Sequence, residues 1–222
     1  MKVPEQPLPL VVLISGGGTN LQAIIDAASA DLPVDIRAVI SNEADAFGLE
    51  RARRAGIETR VLDHRAFADR EAYDAALAAL IEEYKPGLVV LAGFMRILTA
   101  GFVRHFHGRM LNIHPSLLPR YRGLDTHARV LAAGDREHGA TVHFVTEELD
   151  GGPLIVQARV PVLANDDIQT LAHRVLEKEH VIYPAAIRWF AEGRLRLDDH
   201  RVTLDGKPLA APVDPDRPDL GV

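Results

Sequence analysis

An asparagine and a histidine, one residue apart, close the stretch Met110-Leu-Asn-Ile-His-Pro-Ser-Leu-Leu-Pro119. Read as a short buried strand, it turns Asn112 and His114 to one face and Leu111 and Ile113 to the other. Pro115 stops the ladder, and together with Pro119 it holds the following loop away from the sheet. An amide donor and an imidazole then stand side by side at the end of a strand, where open α/β sheets place their ligands. With Asp150 added, the set can serve a distinct chemistry. The amide donates to a developing oxyanion, the imidazole exchanges a proton, and the aspartate holds the imidazole and favours its charged form. This suits acyl transfer to an amine without a covalent enzyme intermediate. A structural reading stands beside it: Asn112 and His114 as satisfied polar residues ending a strand, Asp150 as a turn residue ahead of Gly151.

Other uses of these residues fit less well. The chain has no cysteine and no Gly-x-Ser-x-Gly elbow, so a nucleophilic triad lacks its nucleophile. Its ten histidines include no His-Glu-x-x-His spacing, and no metal is expected.

A second constellation lies near the N-terminus. Leu10 to Ile14 is a continuous apolar run, followed by Ser15-Gly-Gly-Gly-Thr-Asn20 and a helical pattern at Leu21, Ile24, Ile25 and Ala28. A strand, a glycine loop and a helix start make an anion site, because bare backbone lets N–H groups approach the ligand and the helix N-terminus favours negative charge. Leu21 occupies the third glycine position of a dinucleotide fingerprint, and no Walker lysine follows. A single phosphate, as on a phosphosugar, remains, with Thr19 and Asn20 adding side-chain bonds; a tight capped turn is the structural alternative. Two further residues matter. Glu179 falls on the apolar stripe Ile168, Leu171, Ala172, Val175, Leu176 and Ile182, so it must be paired or face a ligand. His143, on a strand face with Thr141 and Val145, reads as a packed histidine.

The elements that must position these residues follow from periodicity. Strands are expected at Leu10–Ile14, Val34–Ile40, Thr59–Leu62 and Leu88–Ala92. Between them lie helices: one opening at the glycine loop, one capped at Asn42–Asp45 and running to Ala55, one from Phe67 to Tyr84. This alternation predicts a doubly wound, Rossmann-like α/β fold with a mostly parallel sheet. The second half predicts an antiparallel part: a helix around 100–106, the Asn112/His114 strand, a helix at Thr126–Ala133, strands Gly139–Thr146 and Leu154–Val162, a helix at Asp167–Glu192, and a terminal hairpin over Arg194–Leu204 with the Asp205-Gly206 turn. With no repeat and no linker, residues 1–222 are expected to form one domain, with 1–8 as a flexible lead-in and about 212–222 as a disordered tail.

Composition narrows the class. A net charge of −6 argues against nucleic-acid binding, which needs a basic surface, without excluding a small anionic ligand. No apolar run is long enough to span a membrane, and Met1–Pro9 lacks the layout of a secretory signal. A cytoplasmic protein acting on small molecules is expected, as a monomer or homodimer.

Taken together, four runs resemble the phosphoribosylglycinamide formyltransferase family, the folate-dependent enzymes of purine biosynthesis. They are Ser15-Gly-Gly-Gly-Thr-Asn-Leu-Gln22, Leu91-Ala-Gly-Phe-Met-Arg-Ile-Leu98, Leu111-Asn-Ile-His-Pro-Ser-Leu-Leu-Pro119 and His138-Gly-Ala-Thr-Val-His-Phe-Val-Thr-Glu-Glu-Leu-Asp-Gly-Gly-Pro153. The resemblance spans about Val11 to Leu209. It implies formyl transfer from 10-formyltetrahydrofolate, as co-substrate, to the amine of 5-phosphoribosylglycinamide. It implies Asn112, His114 and Asp150 as the catalytic trio. Gly18, Thr19, Asn20 and Glu179 would bind the ribonucleotide. Arg70, Met95, Arg96, Ile97, Leu98, Asn112, Val145 and Glu147 would bind the folate. Asp125 stands where family members often carry a histidine. Three rivals are a hydrolase of the same folate, transfer to an aminoacyl-tRNA, and a non-catalytic phosphosugar-binding module. The first two usually carry an added domain, and the third leaves Asn112, His114 and Asp150 without a purpose.

Overall fold

The structure, a computed structural model, describes residues 6–199 and 201–216. The chain forms two compact units, Met1–Asn112 and Ile113–Val222. In the first, β1 (Leu8–Ile14), α1 (Thr19–Ala30), β2 (Val34–Ser41), α2 (Phe47–Arg54), β3 (Thr59–Val61), α3 (Arg70–Glu83), β4 (Leu88–Leu91) and α4 (Ala100–His105) alternate. The chain then enters β5 (Met110–His114), inside which the unit boundary falls. β1 pairs in parallel with β2 and β4, β2 with β3, and β4 with β5. Leu10 to Ile14 and Leu88 to Val90 have no exposed surface, the pattern of strands covered on both faces.

Two helix starts differ from expectation. The Asn42 side chain, expected to cap α2, is instead used by Ser15, whose hydroxyl donates to Asn42 Oδ1 at 2.5 Å. Ser41 Oγ accepts from Glu43 N at 3.0 Å, which holds this segment in a turn, and the helix starts at Phe47 with no side-chain cap. Likewise Phe67 is extended, because Asp63 caps a separate 3₁₀ turn at His64–Ala66 and Asp69, accepting from Ala72 N, is the true cap of α3.

The second unit contains α5 (Thr126–Ala133), β6 (Glu137–Phe144), β7 (Leu154–Pro161), α6 (Ile168–Ala191), β8 (Leu195–Asp198), β9 (Arg201–Leu204) and β10 (Lys207–Pro208). β6 and β7 are antiparallel, with a register shift between Val142 and His143. Asp167 and Thr170 form a reciprocal capping box at the start of α6. The strand order of the main sheet is β3-β2-β1-β4-β5-β6-β7. The expected α/β fold, mostly parallel with an antiparallel C-terminal part, is thus present.

The C-terminal end departs from the expected hairpin. Three strands, in the order β10-β9-β8, form a small antiparallel sheet: β8 pairs with β9, and the Asp205-Gly206 turn closes a second pair, β9 with the short β10. Residues 213–216, within the expected tail, are described and contact the rest of the second unit. Val213 N donates to Ile155 O and Val213 O accepts from Gln157 N, both at 2.9 Å, so backbone pairing with β7 holds a segment whose composition suggests disorder. At the other end, β1 starts at Leu8, within the expected lead-in. Residues 1–5 and 217–222 lie outside the described residues. Among the described residues, no helix is long and apolar enough to cross a membrane.

Candidate active site

β5 ends in a buried imidazole. Met110, Leu111 and Ile113 enter the core, Pro115 ends the ladder, and His114 is left 6% exposed at the strand's C-terminal end. Its Nδ1 lies 3.5 Å from Asp150 Oδ2, and both side chains are 8% exposed. On the other side of the ring, His114 Nε2 lies 2.9 Å from the Tyr121 carbonyl. A carbonyl can only accept, so Nε2 carries a proton. Both nitrogens are engaged, and the ring is fixed in plane and in rotation.

Asp150 is placed by its own backbone. It sits at φ 49°, a left-handed conformation that aspartate tolerates, and its Oδ2 accepts from Gly123 N at 2.9 Å. The two glycines after it are required by close approach. A Cβ on Gly152 would lie 1.8 Å from Phe144 O, and one on Gly151 would meet the Glu148 side chain at 2.4 Å. Asp150 is therefore both a turn residue and a partner of His114. Val145 and Glu147 lie in the connection between β6 and Asp150, half-buried and exposed respectively.

The loop after His114 is anchored from below by one hydroxyl. Thr141 Oγ1 donates to Ser116 O at 2.6 Å and accepts from Leu118 N at 3.1 Å and from Gln157 Nε2 at 3.0 Å. Gln157 also donates to Leu118 O at 2.7 Å. Ser116 Oγ donates to Arg120 O at 2.7 Å, one residue before the carbonyl that holds His114.

Three histidines lie on α5 and β6. His143 Nε2 is 3.8 Å from Asp150 Oδ1, and its Nδ1 is 2.9 Å from Phe144 O. Burial is the largest influence on its pKa and lowers it. His127 Nδ1 and His138 Nε2 are 3.0 Å apart. Burial lowers both, His138 to about 4, and the nearby His114 pushes in the same direction. Asp125 is in the left-handed region at φ 56° ahead of α5 and makes no side-chain cap.

In the first unit, the loops after β1 and β4 are tied together. Ser15 N donates to Gly93 O at 3.0 Å, and Ser15 Oγ accepts from Met95 N at 2.7 Å. Asn112 stands beside Leu91 in the β4–β5 register. Met95 to Leu98 follow β4 and leave Met95 and Ile97 mostly exposed, at 68% and 55%. Gly18, Thr19 and Asn20 form the turn into α1, with Gly18 at φ 70°. Arg70 is exposed at the first turn of α3. Glu179 lies on α6 in the second unit and is 6% exposed, as its place on the apolar stripe implies.

Of the predicted residues, His114 and Asp150 are brought into contact, and Asn112 shares β5 with His114. Sequence reasoning missed the Tyr121 carbonyl and Gly123 amide, because backbone groups leave no trace in residue identity. His143, read from the sequence as a packed histidine, is buried and lies beside Asp150.

The mostly parallel α/β sheet defines the fold class, and the chain belongs to the formyl transferase family, which it matches over residues 8–187. It is 59% identical over 201 residues to the phosphoribosylglycinamide formyltransferase of Escherichia coli K12, covering 90% of this chain and 95% of that protein. The enzyme of the same name from Haemophilus influenzae is 52% identical, with the same coverage. The solved structure of the Coxiella burnetii phosphoribosylglycinamide formyltransferase, in complex with CHES, superposes with a TM-score of 0.90 at 56% identity, covering 92% of this chain and 97% of that one.

Proposed function

We propose that this chain transfers the formyl group of 10-formyltetrahydrofolate to the amine of 5-phosphoribosylglycinamide in purine biosynthesis, giving the formylglycinamide ribonucleotide and tetrahydrofolate. The observation that carries the chemistry is the buried His114–Asp150 pair, 3.5 Å apart, one strand step from Asn112. The amine nitrogen attacks the formyl carbon, and the carbonyl oxygen becomes an oxyanion. Asn112 and the imidazole of His114 donate to it. The proton lost by the attacking nitrogen passes to the folate nitrogen, the carbon–nitrogen bond to the folate breaks, and no covalent enzyme intermediate forms.

The two partners of His114 divide the work. Asp150, with Oδ2 3.5 Å from Nδ1, orients the ring. The Tyr121 carbonyl holds Nε2–H in place, and a substrate oxyanion competes for that donor. Gly18, Thr19 and Asn20 bind the phosphoribosyl group, and Glu179 serves its glycinamide end. Arg70, Met95 to Leu98, Asn112, Val145 and Glu147 serve the folate; the exposed Met95 and Ile97 offer apolar cover to a flat heterocycle. The whole chain works as one cytoplasmic formyltransferase domain, as a monomer or homodimer.

The test is an absorbance assay for tetrahydrofolate with the formyl-folate supplied alone or with glycinamide ribonucleotide. Product forms only when the ribonucleotide is present. Equal product without it makes water the acceptor and the chain a hydrolase.

A further inference from the structure

The glycine loop of the first unit is held from behind by α2. Gly48 N donates to Gly16 O at 3.0 Å, and Arg51 Nε donates to Gly17 O at 2.8 Å. Both donors come from one turn of the same helix. In a planar trans peptide the C=O of one residue and the N–H of the next point in opposite directions. Fixing the Gly16 and Gly17 carbonyls toward α2 therefore turns the N–H groups of Gly17 and Gly18 away from it. Among the described residues neither N–H donates to a protein group, and Cβ positions on Gly16 and Gly17 would meet nothing within 4 Å. Two adjacent amides thus face open space, the geometry of a backbone anion nest.

Arg51 is itself held rigidly. Its guanidinium lies 5.0 Å from the Phe47 ring centroid, and Nη1 donates to Gln22 Oε1 at 3.3 Å. Its neighbours Arg53 and Arg54 both pair with Glu50. Arg51 pairs with no carboxylate among the described residues, so its charge stays uncompensated beside the loop. The approach of α2 is as close as backbone allows: a Cβ on Gly18 would lie 2.6 Å from Gly48 Cα, and one on Gly48 would lie 3.3 Å from Gly16 O.

We propose that Arg51, assisted by Gly48, is a positioning residue for phosphate recognition. It holds the Gly17 carbonyl toward α2, as Gly48 N holds that of Gly16, so that the Gly17 and Gly18 amides meet the substrate phosphate, and it adds unpaired positive charge behind them. This role rests on the phosphate site proposed above. The test uses the full chain and its Arg51→Met and Arg51→Lys variants. Four quantities are read: KM for each substrate, kcat, inhibition by inorganic phosphate competing with the ribonucleotide, and thermal midpoint.

Loss of a charge-assisted bond at the loop predicts that Arg51→Met raises the ribonucleotide KM and the phosphate inhibition constant together, by about tenfold or more. The folate KM, kcat and the thermal midpoint stay near the parent values. Arg51→Lys recovers part of the loss, because it restores charge but not the fixed Nε donor. If phosphate competes in the parent and Arg51→Met leaves that competition unchanged, the positioning role is wrong and the phosphate site stands. If both KM values and the thermal midpoint worsen together, Arg51 is only structural. If phosphate does not compete in the parent, the phosphate site itself fails and this role falls with it.

Discussion

His143 faces the oxygen of Asp150 that His114 does not use: His143 Nε2 is 3.8 Å from Oδ1, while His114 Nδ1 is 3.5 Å from Oδ2. The two histidines are not equivalent. His143 Nδ1 points at the Phe144 carbonyl and must carry its proton there. Burial lowers the His143 pKa, so the ring is neutral near pH 7 and presents a lone pair, not a donor, to Asp150. The negative charge of Asp150 is thus left to His114. We expect His143→Leu to keep turnover within about threefold, at a stability cost of about 1 kcal/mol for the lost bond to Phe144. Steady-state turnover measures this; a loss as deep as that of a His114 variant would make His143 a proton carrier.

Changing the pair itself has a larger effect. His114→Ala and Asp150→Asn are expected to lower kcat by about 10²-fold or more, the usual range for losing an oxyanion-stabilising donor or the group that orients it. KM for the ribonucleotide should change little, because neither side chain is assigned to binding it. Near-normal turnover in either variant, followed by tetrahydrofolate absorbance, would remove the proposed mechanism.

Thr141 is a test of the support beneath His114. One hydroxyl satisfies Ser116 O, Leu118 N and Gln157 Nε2 in a fully buried site. Thr141→Val keeps the shape and orphans these groups, which costs about 2–3 kcal/mol. Urea denaturation reads this as a lower midpoint at unchanged slope. Thr141→Ser, which keeps the hydroxyl, should recover most of it.

The His127–His138 pair makes stability depend on pH. His138 is neutral when folded, with its pKa lowered from 6.5 to about 4 mainly by burial, and His127 and His143 shift the same way. Between about pH 4 and 6.5 the unfolded chain binds protons that the folded chain does not. Stability is therefore full above 6.5 and falls as pH drops toward 4, by on the order of 2–3 kcal/mol for His138 alone. Urea unfolding at a series of pH values checks the sign, and His138→Gln should flatten the curve. A curve that rises as pH falls would refute the assignment.

Much of the catalytic end could be read from residue order. A strand that stops at proline presents alternate residues to one face, so Asn112 and His114 were paired by covalent geometry alone. Asp150 was legible through the resemblance; its residue type by itself suggested only a turn. The structure shows that the left-handed conformation at Asp150 and the carboxylate's position beside His114 occur together. Helix starts were less legible where caps compete. Asn42 is a good capping residue, yet Ser15, 27 positions earlier, takes its side chain. The small C-terminal sheet was legible as a hairpin with an Asp205-Gly206 turn, but β10, two residues long, is too short to leave a pattern of its own. The support behind the glycine loop was invisible, since it depends on Gly48 and Arg51 meeting two carbonyls.

The Val213 bridge bears on how the protein behaves when concentrated. β7 is the last strand of its sheet, and a bare last strand is a template for another chain. Val213 occupies the Ile155 carbonyl and the Gln157 amide there, and the segment is fastened by Asp214 to Arg159 at 3.4 Å and by Asp216 to Lys178 at 2.9 Å. Residues 213–216 thus cover part of that edge. Trimming the chain at Leu209 would leave catalytic groups in place while opening a sticky border, so shelf life rather than turnover is where its removal would be felt.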